Sequence, residues 1–310
     1  MTTWSRWGRS SYERDADLAA EAAALADLIT VVGPDADAEI ISTPSKLKVD
    51  AAFLDRVPSA RLVVTTTSGY DHFDLEEMRR RGVVGARLPL ARRDAVVESA
   101  LLLLLAGARR LGPLSAAARE GRWMRGELPG LGLSTLRGAR VGVVGLGVIG
   151  QRMATVLQVL GAEVWGVDPA GLPDGVRPAT VEEIFAACDA VTLHCDLNAA
   201  SRGFVSAALL ATAKPGLHLV NTARGKLMDV DAAVGALDAG RLGSLGVDVF
   251  PEEPWPRLVA QQTRDNLFFT PHAAGWHSGL SAALREGLRH AVAAWVRGAP
   301  VPWQVGSQGR

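Results

Sequence analysis

The sequence holds little that would tie it to a charged surface, an oxidising compartment or a membrane. Over 310 residues, 33 Lys and Arg are balanced by 33 Asp and Glu. No net field therefore draws the chain to nucleic acid or to an anionic bilayer. Only two cysteines occur, Cys188 and Cys195. They lack C-x-x-C spacing and paired histidines, which points to buried free thiols in a reducing cytosol rather than a disulfide or a metal site. The first 17 residues contain no apolar segment of signal-peptide length. The most hydrophobic run, 100–106, is closed by Glu98 and by Arg109 and Arg110, too soon for a membrane span. There is no internal repeat and no low-complexity linker. These absences lead to the expectation of a soluble, cytoplasmic protein. Its length exceeds that of most single domains, so two lobes with separate cores are expected.

The most informative stretch is 138–168, GARVGVVGLGVIGQRMATVLQVLGAEVWGVD. It reads as a strand over 140–144, a glycine turn, a helix over about 148–160 and a second strand over 163–167. Gly145, Gly147 and Gly150 form G-x-G-x-x-G between strand and helix, with Asp168 about 20 residues on, the context a dinucleotide site requires. Backbone N–H groups at the helix start, around Val148 and Ile149, then face the pyrophosphate. Asp168 suits a free ribose diol and repels a 2′-phosphate, and Pro169, Ala170 and Gly171 offer no arginine to bind one. NADH is therefore expected over NADPH.

β/α alternation runs through the rest of the chain and predicts an α/β fold with parallel sheets. In the first lobe, 2–7 reads as a short edge strand and 13–27 as an amphipathic helix. Asp94 reads as the N-cap of a helix over 95–111 whose run 101–105, apolar all round, should be buried between lobes or between subunits. Residues 112–137 read as irregular, anchored by Trp123 and Met124. Ligands bind beyond the carboxyl ends of parallel strands, a rule that collects Asp168, His194, residues 221–224, Asp248 and Pro271-His272 on one rim.

Three ionisable groups follow successive strand ends: Arg224 in NTARG, Glu253 in DVFPEEP and His272 in TPHAAG. A guanidinium can clamp a carboxylate bidentately, and an imidazole can donate a proton near neutral pH. A carboxylate beside the imidazole raises its pKa and fixes its tautomer. Beside a nicotinamide, this set is what reduction of a 2-oxo acid requires. Taken singly, each of the three could be an ordinary surface or loop residue; the combination carries the weight.

NTARG, GVDVFPEEP and TPHAAG, in this order after GLGVIG, resemble the signatures of the D-isomer-specific 2-hydroxyacid dehydrogenases. DAVVESALLLLLAGARR and TSGYDHFDLEEMRRRGV are similar to that family's preceding segments, and the likeness covers roughly 60–298. The resemblance implies two Rossmann-like lobes around a cleft: a discontinuous substrate-binding lobe, 1–91 plus 276–310, and an NAD-binding domain, 92–275. It implies a homodimer, with His272 as acid/base, Glu253 its partner and Arg224 holding substrate. It further implies that the Ser68 and Gly69 backbone N–H groups bind the substrate carboxylate. Thr222, Ala223 and Asp248 would line the cofactor, Asp248 on the carboxamide.

Several positions depart from the family pattern. Cys195-Asp196-Leu197-Asn198 stands where x-Pro-Leu-Thr is common, and Arg87 where Asn is common. Trp276-His277 replaces small hydroxyl residues; Trp276 is expected either to wall the substrate pocket, to cover the nicotinamide or to make a lobe or dimer contact. Ser68 argues against the phosphite-oxidising branch, which has lysine there, and Glu253 against formate-oxidising relatives, which have Gln. The region to about Arg56, with Trp4 and Trp7, shows little resemblance. The reading is an NAD-dependent oxidoreductase interconverting a 2-oxo acid and a D-2-hydroxy acid. The alternative is an NAD(H)-sensing, corepressor-like binding protein.

Overall fold

The computed structural model describes residues 1–261 and 263–306. Two compact units emerge, Met1–Arg92 with His277–Arg310, and Arg93–Trp276. In chain order the first unit contributes β1 (Thr3–Arg6), β2 (Thr30–Val31), β3 (Ile40–Thr43), β4 (Leu62–Thr65) and β5 (Val84–Arg87). The second contributes β6 (Arg140–Val144), β7 (Glu163–Val167), β8 (Arg177–Pro178), β9 (Ala190–Leu193), β10 (Leu217–Asn221), β11 (Leu242–Val247) and β12 (Leu267–Phe269). The chain then returns to the first unit as β13 (Gln304–Val305).

The first sheet has the order β13-β5-β4-β3-β1-β2, all parallel except β13, which pairs antiparallel with β5. The four-residue strands β3 and β4 are buried along their whole length, the pattern of a sheet covered on both faces. Helix Leu280–Val296 closes one face, burying Leu280, Leu284, Leu288, Ala291 and Val292 at helical spacing. Trp4 lies in the same core, and Trp7 packs edge-on to Phe53 on the other side, its Nε1 donating to the Ala36 carbonyl at 2.8 Å. Both tryptophans of the poorly legible amino-terminal region are therefore core residues.

At the carboxyl end of β1, Arg6 is buried and meets two carboxylates. Its Nη2 donates to both oxygens of Glu13 at 2.8 Å, and its Nη1 to Glu21 at 3.3 Å. Ser42 Oγ donates to Glu21 at 3.0 Å. Burial pushes the Glu21 carboxyl up, against the opposing pull of Arg6 and Ser42. This cluster ties the loop after β1 to the sheet.

The second sheet has the order β12-β11-β10-β9-β6-β7-β8, wholly parallel. Strand order reverses at β6, which pairs with β7 on one side and β9 on the other. That reversal is the switch point at which doubly wound sheets bind ligands. The α/β class with two parallel-sheet units is thus as expected from the alternation. Among the described residues, no helix is long and apolar enough to cross a membrane.

Some local expectations are overturned. β1 is not an edge strand but lies between β2 and β3. The long helix starts at Leu90, directly after Pro89, and ends at Ala108, so Asp94 is not its cap and instead pairs with Arg93 and Arg152. Within its apolar run Leu103 and Leu104 are buried in the single chain and Leu102 is 61% exposed, which leaves the expected burial between subunits untouched. Residues 112–137 are not irregular throughout, since helix Leu111–Arg119 occupies their start. Trp123, expected as a local anchor, is 84% exposed. Cys188 is buried and Cys195 half-buried, both free, and burial pushes each thiol up to about 12.

Candidate active site

The glycine turn follows β6 at the switch point. Gly145 has φ +89°, and a Cβ there would lie 2.4 Å from the Cys195 nitrogen. A Cβ on Gly150 would lie 1.9 Å from the Gly145 carbonyl oxygen. Side chains at these two positions are excluded by backbone. Gly147 is different, because a Cβ there would meet nothing within 4 Å. It is the N-cap of helix Val148–Val159 and supplies no capping side chain. The first-turn N–H groups, Val148 and Ile149 among them, are therefore left for an anion. Open space at Gly147 and an uncapped helix start suit a pyrophosphate.

Asp168, at the end of β7, accepts from Leu146 N at 2.6 Å and from Ala170 N at 2.8 Å. One carboxylate oxygen braces the glycine turn and the other the loop after β7. Each oxygen keeps a lone pair for a ribose hydroxyl. Beyond β10, Asn221 is fully buried; its Oδ1 accepts from Ala223 N at 3.1 Å and its Nδ2 donates to the Arg224 carbonyl at 3.0 Å. This brace fixes the turn that presents Thr222, Ala223 and Arg224. Thr222 Oγ1 is buried without a hydrogen-bond partner among the described residues. An unmet buried hydroxyl on this rim suits a bound polar ligand.

His272 has φ +55° and Nδ1 at 2.8 Å from Glu253 Oε2. The carboxylate can only accept, so Nδ1–H donates and Nε2 is left free for chemistry. The Glu253 hydrogen bond raises the His272 pKa, burial pulling it down less strongly. Burial would raise Glu253, but the bonds from His272 and from Phe250 N, with the His272 and Arg224 charges, outweigh it and hold the carboxyl below its usual value. The Arg224 charge thus bears on both members of the pair.

Asp248, expected on the carboxamide, also braces its own loop. It is 1% exposed. Its Oδ1 accepts from Thr270 Oγ1 at 2.6 Å and Ala273 N at 2.8 Å, and its Oδ2 from Ala274 N at 3.0 Å. His272 N donates to the Asp248 carbonyl at 2.8 Å. Asp248 is the post on which the His272 loop is wound, a role invisible in sequence because its partners lie 22 to 26 residues away. His194, also assigned to the rim, bonds Thr192 Oγ1 through Nε2 at 3.0 Å, and burial lowers its pKa to about 4. It is a neutral structural histidine. Trp276 is 60% exposed.

Ser68 and Gly69 belong to the first unit, in the loop after β4. Among the described residues neither N–H donates to a backbone carbonyl, and Ser68 Oγ is buried without a partner. Thr67 Oγ1 donates to the Gly69 carbonyl at 2.8 Å, and Arg87 Nη1 to the Ser68 carbonyl at 3.0 Å. With its carbonyls tied back, the loop keeps its N–H groups for an anion such as a carboxylate.

Comparison with known proteins gives the same family from independent directions. Residues 101–274 match the family model described as "D-isomer specific 2-hydroxyacid dehydrogenase, NAD binding domain". The D-3-phosphoglycerate dehydrogenase of Rattus norvegicus is 32% identical over 241 residues, 76% of this chain and 44% of that protein. The chain thus spans about half the length of the curated relatives it matches. Among solved structures, the TT0316 protein from Thermus thermophilus superposes with a TM-score of 0.80 at 27% identity, covering 97% of this chain and 99% of that one. The fold is also that of the Aquifex aeolicus D-lactate dehydrogenase complexed with NAD and lactic acid (TM-score 0.79, 23% identity, 96% of each chain). This chain belongs to the D-isomer specific 2-hydroxyacid dehydrogenase family.

Proposed function

We propose that the protein is an NAD-dependent oxidoreductase that interconverts a 2-oxo acid and a D-2-hydroxy acid. The observation that carries this reading is the His272–Glu253 pair at 2.8 Å, with Arg224 acting on both. The units Met1–Arg92 with His277–Arg310 and Arg93–Trp276 serve as the substrate-binding and NAD-binding parts respectively. Gly145, Gly147, Val148, Ile149 and Gly150 hold the pyrophosphate, Asp168 the ribose, and Thr222 and Ala223 the nicotinamide half. A nicotinamide cofactor held there would supply the hydride that reduces the oxo acid at C2. Arg224 holds the substrate and polarises its carbonyl, and the Ser68 and Gly69 N–H groups bind the substrate carboxylate. His272 Nε2 delivers the proton to the oxygen, so one hydride and one proton complete the alcohol. Glu253 stabilises the imidazolium before transfer. The reading extends to a homodimer, supported by the exposed Leu102 and Trp123, and to a cytoplasmic setting, supported by the two free thiols.

The test is NADH oxidation at 340 nm against a panel of oxo acids. Turnover is expected, with kcat/KM for NADH exceeding that for NADPH by at least about tenfold, equivalent to about 1.4 kcal/mol of differential binding. Equal use of NADPH would remove the role of Asp168. Tight NADH binding without turnover of any oxo acid would replace the enzyme by a nucleotide sensor.

The raised His272 pKa sets the pH behaviour. Reduction needs the imidazolium, so its kcat/KM persists above the ordinary histidine range and falls as pH rises through the raised value. Oxidation needs neutral His272 and rises over the same interval. Glu253→Gln removes the anion that stabilises the imidazolium, so the falling limb should move to lower pH. Superimposable profiles for the two proteins would show that Glu253 does not tune His272.

A further inference from the structure

Arg92, in the first turn of helix Leu90–Ala108, is half-buried yet has no acidic partner among the described residues. Its acceptors are both neutral: Nη1 donates to the Thr66 carbonyl at 2.5 Å and Nη2 to the Tyr12 hydroxyl. Other arginines of the same unit, Arg6 and Arg289, rest on carboxylates. A guanidinium has five N–H donors. Two are engaged here, so three remain together with an uncompensated charge. Tyr12 accepts from Arg92, which turns its own O–H outward as a further donor.

The position of this pair is that of a ligand subsite. In the first sheet, strand order reverses at β1, which pairs with β2 and β3, and ligands bind beyond the carboxyl ends at such a reversal. Tyr12 sits in the loop that follows β1, and that loop is held by the buried Arg6–Glu13 pair. The loop is therefore preorganised. Thr66 is two residues before Ser68, a reach of at most about 7 Å. Arg92 thus stands a short carbon chain away from the Ser68 and Gly69 N–H groups.

We propose that the substrate carries a second anionic group, a carboxylate or a phosphate, remote from the 2-oxo acid end, and that Arg92 with the Tyr12 hydroxyl binds it. This rests on the oxo-acid reading above, in which Ser68 and Gly69 take the first carboxylate. Arg92 then sets specificity and takes no part in the chemistry.

The test compares kcat/KM with NADH for pyruvate, for the dicarboxylates oxaloacetate and 2-oxoglutarate, and for 3-phosphohydroxypyruvate. At least one dianionic acid should exceed pyruvate by about 30-fold, the scale of a charge-assisted hydrogen-bonded pair. The better of the two kinds identifies the group. In Arg92→Gln the ratio of that acid to pyruvate should collapse toward one, mainly through KM. Arg92→Lys should restore part of the ratio, and Tyr12→Phe should lower it. A residue that merely staples two loops would depress all substrates together and leave the ratio unchanged, which would overturn the proposal, as would pyruvate equalling the dianionic acids. If no oxo acid is reduced, the enzyme reading fails separately, and calorimetric titration of oxaloacetate and pyruvate into the NAD-saturated protein decides the subsite. Arg92-dependent preference for oxaloacetate sustains it, and equal binding by wild type and Arg92→Gln removes it.

Discussion

Replacing His272 by alanine should lower turnover of the oxo acid by at least about 100-fold, the usual scale of a lost general acid. That loss corresponds to about 2.7 kcal/mol of transition-state stabilisation. It should fall on kcat and kcat/KM alike, because proton donation contributes only as the alkoxide forms. NADH affinity should be retained, since the glycine turn and Asp168 are built from β6 and β7, independently of the loop after β12. The fold should also survive: the His272 side chain is 54% exposed, and the loop is held by Asp248 through Thr270, Ala273 and Ala274. Stopped-flow single-turnover rates and NADH titration separate these quantities. Near-normal turnover in His272→Ala would remove the mechanism, because the Nε2 proton has no evident substitute on the pair.

Gly150→Ala should be nearly as damaging for a different reason. The added methyl would lie 1.9 Å from the Gly145 carbonyl oxygen, a backbone atom that cannot rotate away. Helix Val148–Val159 must lift from the turn, at a cost of about 3 kcal/mol. If most of that falls on the bound geometry, NADH affinity drops about 100-fold, and the melting temperature falls with it. Gly147→Ala is the control, since its methyl meets nothing within 4 Å and its φ of −69° suits any residue. It should melt as wild type yet bind NADH more weakly, because only a ligand would meet the new methyl. Wild-type affinity in both variants, read by fluorescence titration, would displace the pyrophosphate from this turn.

The contrast between these glycines shows what was legible in the sequence. G-x-G-x-x-G, Asp168 and the strand-end triplet are local patterns with a fixed chemical meaning, and the fold sets them at strand ends in the order read. The start of the long helix was misplaced because Asp94 is a strong capping residue and Ala91-Arg92-Arg93 looks polar. Pro89 was the better signal, as proline sits well at a helix start. The bracing of the His272 loop by Asp248 is not legible in the sequence, because its carboxylate holds Thr270, Ala273 and Ala274. No periodicity reports such a bond. The Arg92–Tyr12 contact spans 80 residues of sequence, and β13 is only two residues long. Both depend on tertiary closure, which local spacing does not encode.

The return of the chain to the first unit has a consequence for its order of assembly. Residues 280–292 supply one face of the core that Trp4, Ile40, Leu62 and Val64 begin, and Gln304–Val305 pairs with β5 at the border of the same sheet. The first unit's opening segment is therefore synthesised before Arg93–Trp276, and the helix that completes its core after it. The intervening Arg93–Trp276 unit is continuous and can close while the opening segment still lacks its final helix. The core of the first unit cannot close until Leu280, Leu284 and Leu288 have been made, so its folding waits on the synthesis of the intervening unit.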